Sequence, residues 1–343
     1  MVPSAVRRVT ERAEPRYAAA GLHAGAPLTR VEGLSDVLAL VADDLAAAER
    51  RLAELVSSHV PVVAGIGDYL RAAGGKRLRP MLTALGAHAV GHAGPVAGLM
   101  CVGELIHLGS LLHDDVVDDA TTRRGLPAAQ LVYSNPAVIL TGDFCLARAV
   151  LLAATDGGHA AVTALADAVT RMAEGEVMQL QRAGKLDTSL DDYLETIDKK
   201  SAALIAWCAA AGAYATGDAA LADALGRFGR GVGVAFQITD DVLDYLPGTG
   251  KTPGQDLRER KLTLPLLLAT ERVAGLRARV EGATDADVPA LVEVVRASGA
   301  LDAALADARA RVRTSVRALD VVPASPWKDA LVVLGRHLVE RAS

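Results

Sequence analysis

The chain has 343 residues, 51% of them hydrophobic and 22% charged, with a formal net charge of -5 and only 3% aromatics. This composition excludes a disordered or fibrous protein, and the acidic balance offers no footprint for nucleic acid. Ala, Leu and Val fill the apolar quota where a sheet protein leans on β-branched and aromatic residues; Ala and Leu are strong helix formers, so the expected fold class is all-α.

Residues 1–30 mix Arg, Glu, Gly and Pro without a period and are expected to form a flexible extension, with no apolar core of a secretory signal. From residue 31 to 56, apolar residues recur every three or four positions, the pattern of a long amphipathic helix. The segment RAAGGKRLRP (71–80) interrupts that pattern, and Pro80 suits the first turn of the next helix. Helical periodicity then runs through 96–114, 136–152, 160–184, 189–215, 219–246, 262–280, 287–297, 300–320 and 326–341. No stretch alternates as a strand does, and no linker divides the chain, so 31–343 reads as one domain. The apolar stretch 201–215 is short of a spanning length and reads as a buried helix, so no stable membrane insertion is expected. Cys101, Cys145 and Cys208 lie in no metal-ligand spacing and are expected to be reduced core thiols of a cytoplasmic protein.

The informative residues are carboxylates at the ends of apolar helices. LLHDDVVDD carries Asp114, Asp115, Asp118 and Asp119; FQITDDVLDYL carries Asp240, Asp241 and Asp244. Each contains D-D-x-x-D, which on a helix sets the first and last carboxylates one turn apart on one face. A lone acidic run is usually a solvated face, but two copies beside residues that expect burial call for cations between them. Carboxylates that leave room for water and phosphate oxygens suit Mg²⁺, whereas the Cys and His ligands of a zinc site are missing. Basic residues stand nearby: Lys76, Arg77 and Arg79, after the flexible Gly74-Gly75, in a turn entering a helix, an anion cradle; Arg123 and Arg124 after the first cluster; Lys251 and Lys261 after the second. This set fits a substrate with several phosphates, or two such substrates.

With these pieces in order, the chain resembles the trans-prenyl diphosphate synthases of the polyprenyl synthetase family. The matching stretches are GGKRLRP (74–80), ELIHLGSLLHDDVVDDATTRRG (104–125), LTGDF (140–144), GEVMQL (175–180), Lys200-Ser201, FQITDDVLDY (236–245), Gly250-Lys251 and DLRERKLTLP (256–265). The resemblance implies the isoprenoid synthase fold, an antiparallel helical bundle around a deep central cavity, usually as a homodimer; the catalytic half of a two-subunit synthase is the other possibility. It implies three Mg²⁺ ions held by Asp114 and Asp118 on one wall and Asp240 on the other, with Asp115, Asp241 and Asp244 in support. It implies that Arg123, Lys200, Lys251 and Lys261 contact an allylic diphosphate, and that Lys76, Arg79, His107 and Arg124 bind isopentenyl diphosphate, with Gly75 giving close backbone approach. Ser201 and Gln237 would lie near the reacting carbons. The reaction implied is ionisation of the allylic primer, farnesyl or geranylgeranyl diphosphate, then condensation with isopentenyl diphosphate and loss of a proton. Terpene cyclases share the fold but generally lack the doubled acidic motif.

Product length is expected to depend on the residues one turn before the first carboxylates, Gly109 and Ser110, read here as looking down an apolar well. No aromatic occurs from 81 to 132, so no ring closes that well, and room for more C5 units implies a product of about C30 to C50, centred on C35 to C40. Closure at Ile106 would instead give a C20 product, geranylgeranyl diphosphate. Ala128, Gln130, Ser134 and Arg260 depart from the family pattern, which often has Thr, Asn, Gly and Gly there.

Overall fold

The computed structural model describes residues 31–72, 75–123, 126–247 and 252–340. The expected 1–30 extension, Gly74, Arg124 and Lys251 lie outside the described residues. The long N-terminal pattern is two helices, α1 (Leu34–Leu40) and α2 (Ala42–Leu55), broken at Val41, followed by α3 (Pro61–Ala72) and α4 (Leu78–Ala89) with Pro80 in its first turn. Next come α5 (Ala97–Val117), a short hairpin of β1 (Thr122–Arg123) and β2 (Leu126–Pro127), α6 (Ala129–Val132), α7 (Asn135–Asp156) and α8 (Gly158–Arg182). Helix α9 (Leu190–Ile197) passes through a π-helical turn (Asp198–Ala202) into α10 (Ala203–Thr216), then α11 (Ala219–Leu243) and the single turn α12 (Gln255–Arg258). The C-terminal part holds α13 (Leu264–Arg272), α14 (Leu276–Glu281), α15 (Val288–Ala297), α16 (Ala300–Val316), a 3₁₀ turn (Arg317–Val321) and α17 (Pro326–Glu340).

Helices α5 and α10 are apolar on nearly every face, as core helices must be. Along α5 the buried side chains include Leu99, Met100, Val102, Leu105, Ile106, Leu108 and Leu112; along α10 they run almost unbroken from Ala203 to Ala213. Helix α5 packs against α7, α4 and α2, and α10 against α11, α4 and α8. Trp207 on α10 is fully buried, and its indole N–H donates to the Ala161 carbonyl of α8 at 3.0 Å. The stretch 201–215 is therefore the buried helix that its composition predicts. One apolar cluster gathers the helices from α1 to α10 other than α9, the N-terminal half of α11 and the C-terminal α17, and a second gathers α9, α13–α16 and the C-terminal half of α11. Helix α11 thus runs from one cluster into the other. All three cysteines are buried and unpaired, and burial pushes each thiol up to about 12.

Among the described residues, one helix is long and apolar enough to cross a membrane, α7, with a mean hydropathy of 1.8 over its most apolar window and 39% of that window buried. Its inner side packs on α5 and α8. Its outer side exposes Ile139, Leu140, Val150 and Leu151.

Candidate active site

The first acidic wall is the C-terminal turn of α5. Asp114 is half-buried, Asp115 is 1% exposed and Asp118 stands open to solvent. Asp115 is committed to Arg123, whose Nε donates to its Oδ1 at 2.7 Å with Nη2 on the same oxygen. That pair pulls the hairpin back under the helix, and Tyr69 of α3 fixes the second strand by donating to the Pro127 carbonyl at 2.5 Å. Asp115 therefore holds an arginine in place, while Asp114 stays half-buried and Asp118 reaches solvent.

The second wall is the C-terminal turn of α11, where Asp240 is half-buried and Asp241 is 6% exposed. Asp241 accepts from the Tyr193 hydroxyl at 2.6 Å and from the Gln237 amide at 2.9 Å; the Gln237 carbonyl in turn accepts from Ser201 Oγ at 2.8 Å. This chain leaves the Gln237 amide a single orientation. Burial pushes the Asp241 carboxyl well above the usual carboxylate range, against the two hydrogen bonds that favour its charge. Asp244 Oδ2 accepts the Asp256 backbone N–H at 3.0 Å, tying the wall to α12. Just beyond α12, burial works against the charge of Lys261, yet its ion pair with Glu259, with Asp256 and Asp118 nearby, holds the ammonium above the usual lysine range.

Between the walls lies the π-helical turn, a feature that recurs at functional sites because the extra residue redirects side chains. Lys200 in this turn pairs with Glu176 of α8 at 2.6 Å. Its first residue, Asp198, is gripped by Arg171 of α8 at 2.6 Å and by Arg230 of α11. Gly175 lets α8 approach the turn, since a Cβ there would lie 2.9 Å from Lys200 Cα and 3.0 Å from Lys199 C.

Electrostatics show that these elements face one another. The Asp114 carboxyl is pushed up to about 6 by burial and by Glu176 and Asp118, against the pull of Lys200 and Arg123. Lys261, on the far wall, feels Asp118, and Glu259 feels Lys200. Carboxylates and ammonium groups of the two walls and the π turn thus lie within one another's field. Among the described residues, no group of three or more His, Cys, Asp or Glu side chains converges closely enough to hold a metal by itself. An oxygen-only donor set split between two walls fits Mg²⁺, which keeps waters and takes substrate phosphate oxygens for its remaining positions.

The basic turn before α4 is built on Arg77, not on the residues expected to bind isopentenyl diphosphate. Arg77 adopts a left-handed conformation (φ 50°) and its guanidinium, 9% exposed, pairs with Glu49 of α2 and Glu104 of α5, the latter at 2.5 Å. With Arg77 anchored inward, Gly75 and Lys76 are exposed. Arg79 stands beside Gly103 of α5, one turn before the half-buried His107, and its Nε is buried with no hydrogen-bond partner, a donor in want of an anion. Among the described residues, the non-glycine residues with positive φ are Arg77, Asp119 and Arg260, each in one of the segments bearing candidate site residues. Backbone strain of this kind concentrates at functional sites.

Residues 60–295 match the polyprenyl synthetase family. The chain belongs to that family. It is 35% identical over 319 residues to the all-trans-nonaprenyl-diphosphate synthase (geranyl-diphosphate specific) of Rhodobacter capsulatus, covering 89% of this chain and 97% of that protein. It is 35% identical over 326 residues to the octaprenyl diphosphate synthase of Escherichia coli K12, covering 90% and 99% respectively. The structure is similar to that of a polyprenyl synthase from Caulobacter crescentus CB15 complexed with calcium and isoprenyl diphosphate, with a TM-score of 0.86, 38% identity, and coverage of 92% of this chain and all of that one. This polyprenyl synthetase is a prenyltransferase, and its all-α bundle is the isoprenoid synthase fold.

Of the residues expected to set product length in this polyprenyl synthetase, Gly109 sits at the crossing of α5 and α7, where an added Cβ would lie 3.0 Å from the Gly142 carbonyl oxygen and 3.4 Å from Cys145 Cβ. Ser110 is half-buried, with its hydroxyl donating to the His107 carbonyl at 3.0 Å, and Ile106 is 1% exposed in the core. Several residues of the site carry no sequence signal at all: Tyr193, and Asp198 with its two arginines, owe their places to partners far along the chain. Arg77 lies inside the matching GGKRLRP stretch, but its inward pairing with Glu49 and Glu104 is visible only in the fold. Gly175 lies inside the matching GEVMQL stretch, but the reason for it is visible only where α8 meets the π turn. Glu104 and Glu176 are the partners of Arg77 and Lys200. His113 joins α5 to α7 through the Ile139 carbonyl at 3.1 Å and Asp143 at 3.3 Å, a packing role.

Proposed function

We propose that this enzyme elongates an allylic primer, farnesyl or geranylgeranyl diphosphate, with isopentenyl diphosphate to an all-trans polyprenyl diphosphate of about C30 to C50, in an apolar cavity between the helices. The observation that carries the reading is the apposition of two acidic helix ends across a lysine-bearing π turn, with Lys261 of one wall within the field of Asp118 of the other. Asp114, Asp118 and Asp240 are assigned as the ligands of three Mg²⁺ ions, which when bound neutralise the charge that develops on the departing diphosphate. Lys200, Lys261, Arg123 and Lys251 hold the same diphosphate, and Asp115 keeps Arg123 in register for it. Lys76, Arg79, His107 and Arg124 take isopentenyl diphosphate, the orphaned Arg79 Nε being one ready donor. Ser201 and Gln237, locked to each other, border the reacting carbons. The C–O bond of the primer breaks, the double bond of isopentenyl diphosphate attacks the allylic cation, and the proton then lost passes to the released diphosphate, so the chain need supply no dedicated base. The lengths named for the Rhodobacter and E. coli relatives support a long product. The exposed apolar face of α7 supports a homodimer that would cover it.

The test is incubation of the purified protein with Mg²⁺, farnesyl diphosphate and isopentenyl diphosphate, followed by chromatography of the products. A polyprenyl diphosphate in the stated range is expected; C20 alone refutes the long-chain reading, and no condensation refutes the reaction. Asp114→Ala or Asp240→Ala should abolish turnover without unfolding the protein, and near-normal rates would overturn the metal assignment.

A further inference from the structure

The end of α5 is an improbable place for an ordered turn. Four carboxylates, Asp114, Asp115, Asp118 and Asp119, crowd the negative end of the helix dipole, where acidic residues destabilise. The helix closes there in a Schellman arrangement: the Asp119 N–H donates to the Val116 carbonyl at 3.4 Å and the Ala120 N–H to the Asp115 carbonyl at 2.9 Å. That closure needs a left-handed residue, usually glycine, and the chain has Asp119 at φ 48°. Asp118 is the cap itself. A proposed metal ligand therefore stands on a turn that local forces oppose.

What opposes its unravelling comes from α6. Gln130 is 9% exposed, and its Nε2 donates to the Asp115 carbonyl at 2.7 Å and to the Ala120 carbonyl at 2.6 Å, joining the last turn of the helix to the second residue beyond the cap. Both neighbours are acceptors, so the amide can point only this way. Its Oε1 is buried with no partner, which shows that the side chain is placed for its two donations at the expense of its acceptor. The donor is also neutral. A lysine or arginine could satisfy the same carbonyls, but its charge would compete with a cation for the carboxylates alongside.

We infer that Gln130 is a positioning residue for the first acidic wall: it holds the strained α5 cap, and with it Asp118, in the conformation that receives Mg²⁺. The catalytic part of this assignment rests on the function proposed above; the conformational part does not. Gln130→Met keeps length and removes both donations. In the metal-free protein, amide exchange of the Ala120 N–H should rise tenfold or more while the middle of α5 stays protected. The Mg²⁺ concentration for half-maximal rate should rise at least fivefold, with KM for isopentenyl diphosphate changed less than twofold. Adding Asp119→Gly to Gln130→Met should restore much of the Ala120 protection, because glycine removes the strain that Gln130 offsets. If Gln130→Met does not fold, Gln130→Asn, which keeps a shorter amide, should show the same exchange change in smaller measure. Ala120 exchange within twofold of the parent, or a rise spread evenly over α5 and α7, overturns the positioning role. Raised local exchange with an unchanged Mg²⁺ requirement overturns its link to the metal.

Discussion

Gly175→Ala tests whether the π turn sets the rate. An added Cβ meets the Lys200 backbone nitrogen closer than any real Cβ contact and lies 2.9 Å from Lys200 Cα. The obstacle is backbone, so no side chain can rotate aside, and α8 and the turn must part by about 0.5–1 Å to reach ordinary contact. Overpacking of this kind destabilises by about 1–3 kcal/mol. The displaced groups include Lys200, with its pair to Glu176, and Ser201, with its bond to Gln237. A misplacement of this size can lower a rate by up to about 100-fold, so kcat should fall roughly 10- to 100-fold, or about 1.4–2.7 kcal/mol in the barrier. Tm should fall by several degrees. The control is Gly226→Ala in α11, where a Cβ meets nothing within 4 Å; it should leave kcat unchanged and raise stability by about 0.5–1 kcal/mol. Steady-state kinetics beside thermal melts decide the matter. If Gly175→Ala keeps kcat within twofold of the parent, the turn is not positioned by this contact.

Ser110→Phe should shorten the product while leaving a folded enzyme, whereas Gly109→Phe should chiefly destabilise, by wedging α5 from the Gly142 carbonyl; product chromatography with melts separates the two, and a Gly109→Phe enzyme as stable as the parent would refute the wedge. Because the Asp114 carboxyl is raised to about 6 from its ordinary 3.8, the folded metal-free protein binds more protons than the unfolded chain between those values, and its stability should fall as pH rises from about 4 to about 6. Asp114→Asn should flatten that segment of the urea-midpoint profile, and an unchanged slope would place its origin elsewhere. Tyr193→Phe removes one donor from buried Asp241 and should cost about 1.5–3 kcal/mol; a loss under about 0.5 kcal/mol in urea titration would show that Tyr193 does not anchor the second wall. Arg260 occupies a left-handed cap (φ 52°), so Arg260→Gly should stabilise by roughly 0.5–1 kcal/mol, and a drop in Tm would refute the strain.

Ala/Leu-rich segments with helical period and few aromatics were enough to establish an all-α bundle, because burial of one face per helix is a local property of the pattern. The doubled D-D-x-x-D and the basic segments were equally legible, since each is a contiguous run whose spacing on a helix follows from geometry alone. What contiguous runs cannot show is which carboxylate turns inward. The two aspartates that look equivalent in each pair divide in the fold: Asp114 stays half-buried while Asp115 takes Arg123, and Asp240 stays half-buried while Asp241 takes Tyr193 and Gln237. The departure at Gln130 was visible as a letter and acquired a reason only when α6 came to lie under the end of α5. Gly109 shows the same limit: its closeness to α7, where an added Cβ would lie 3.0 Å from the Gly142 carbonyl oxygen, is visible only in the fold. Periodicity and motif spacing act within one helix and survive in the sequence; the partners that hold the site come from segments up to 48 positions apart, as Tyr193 and Asp241 are, and their meeting is decided by how the helices pack.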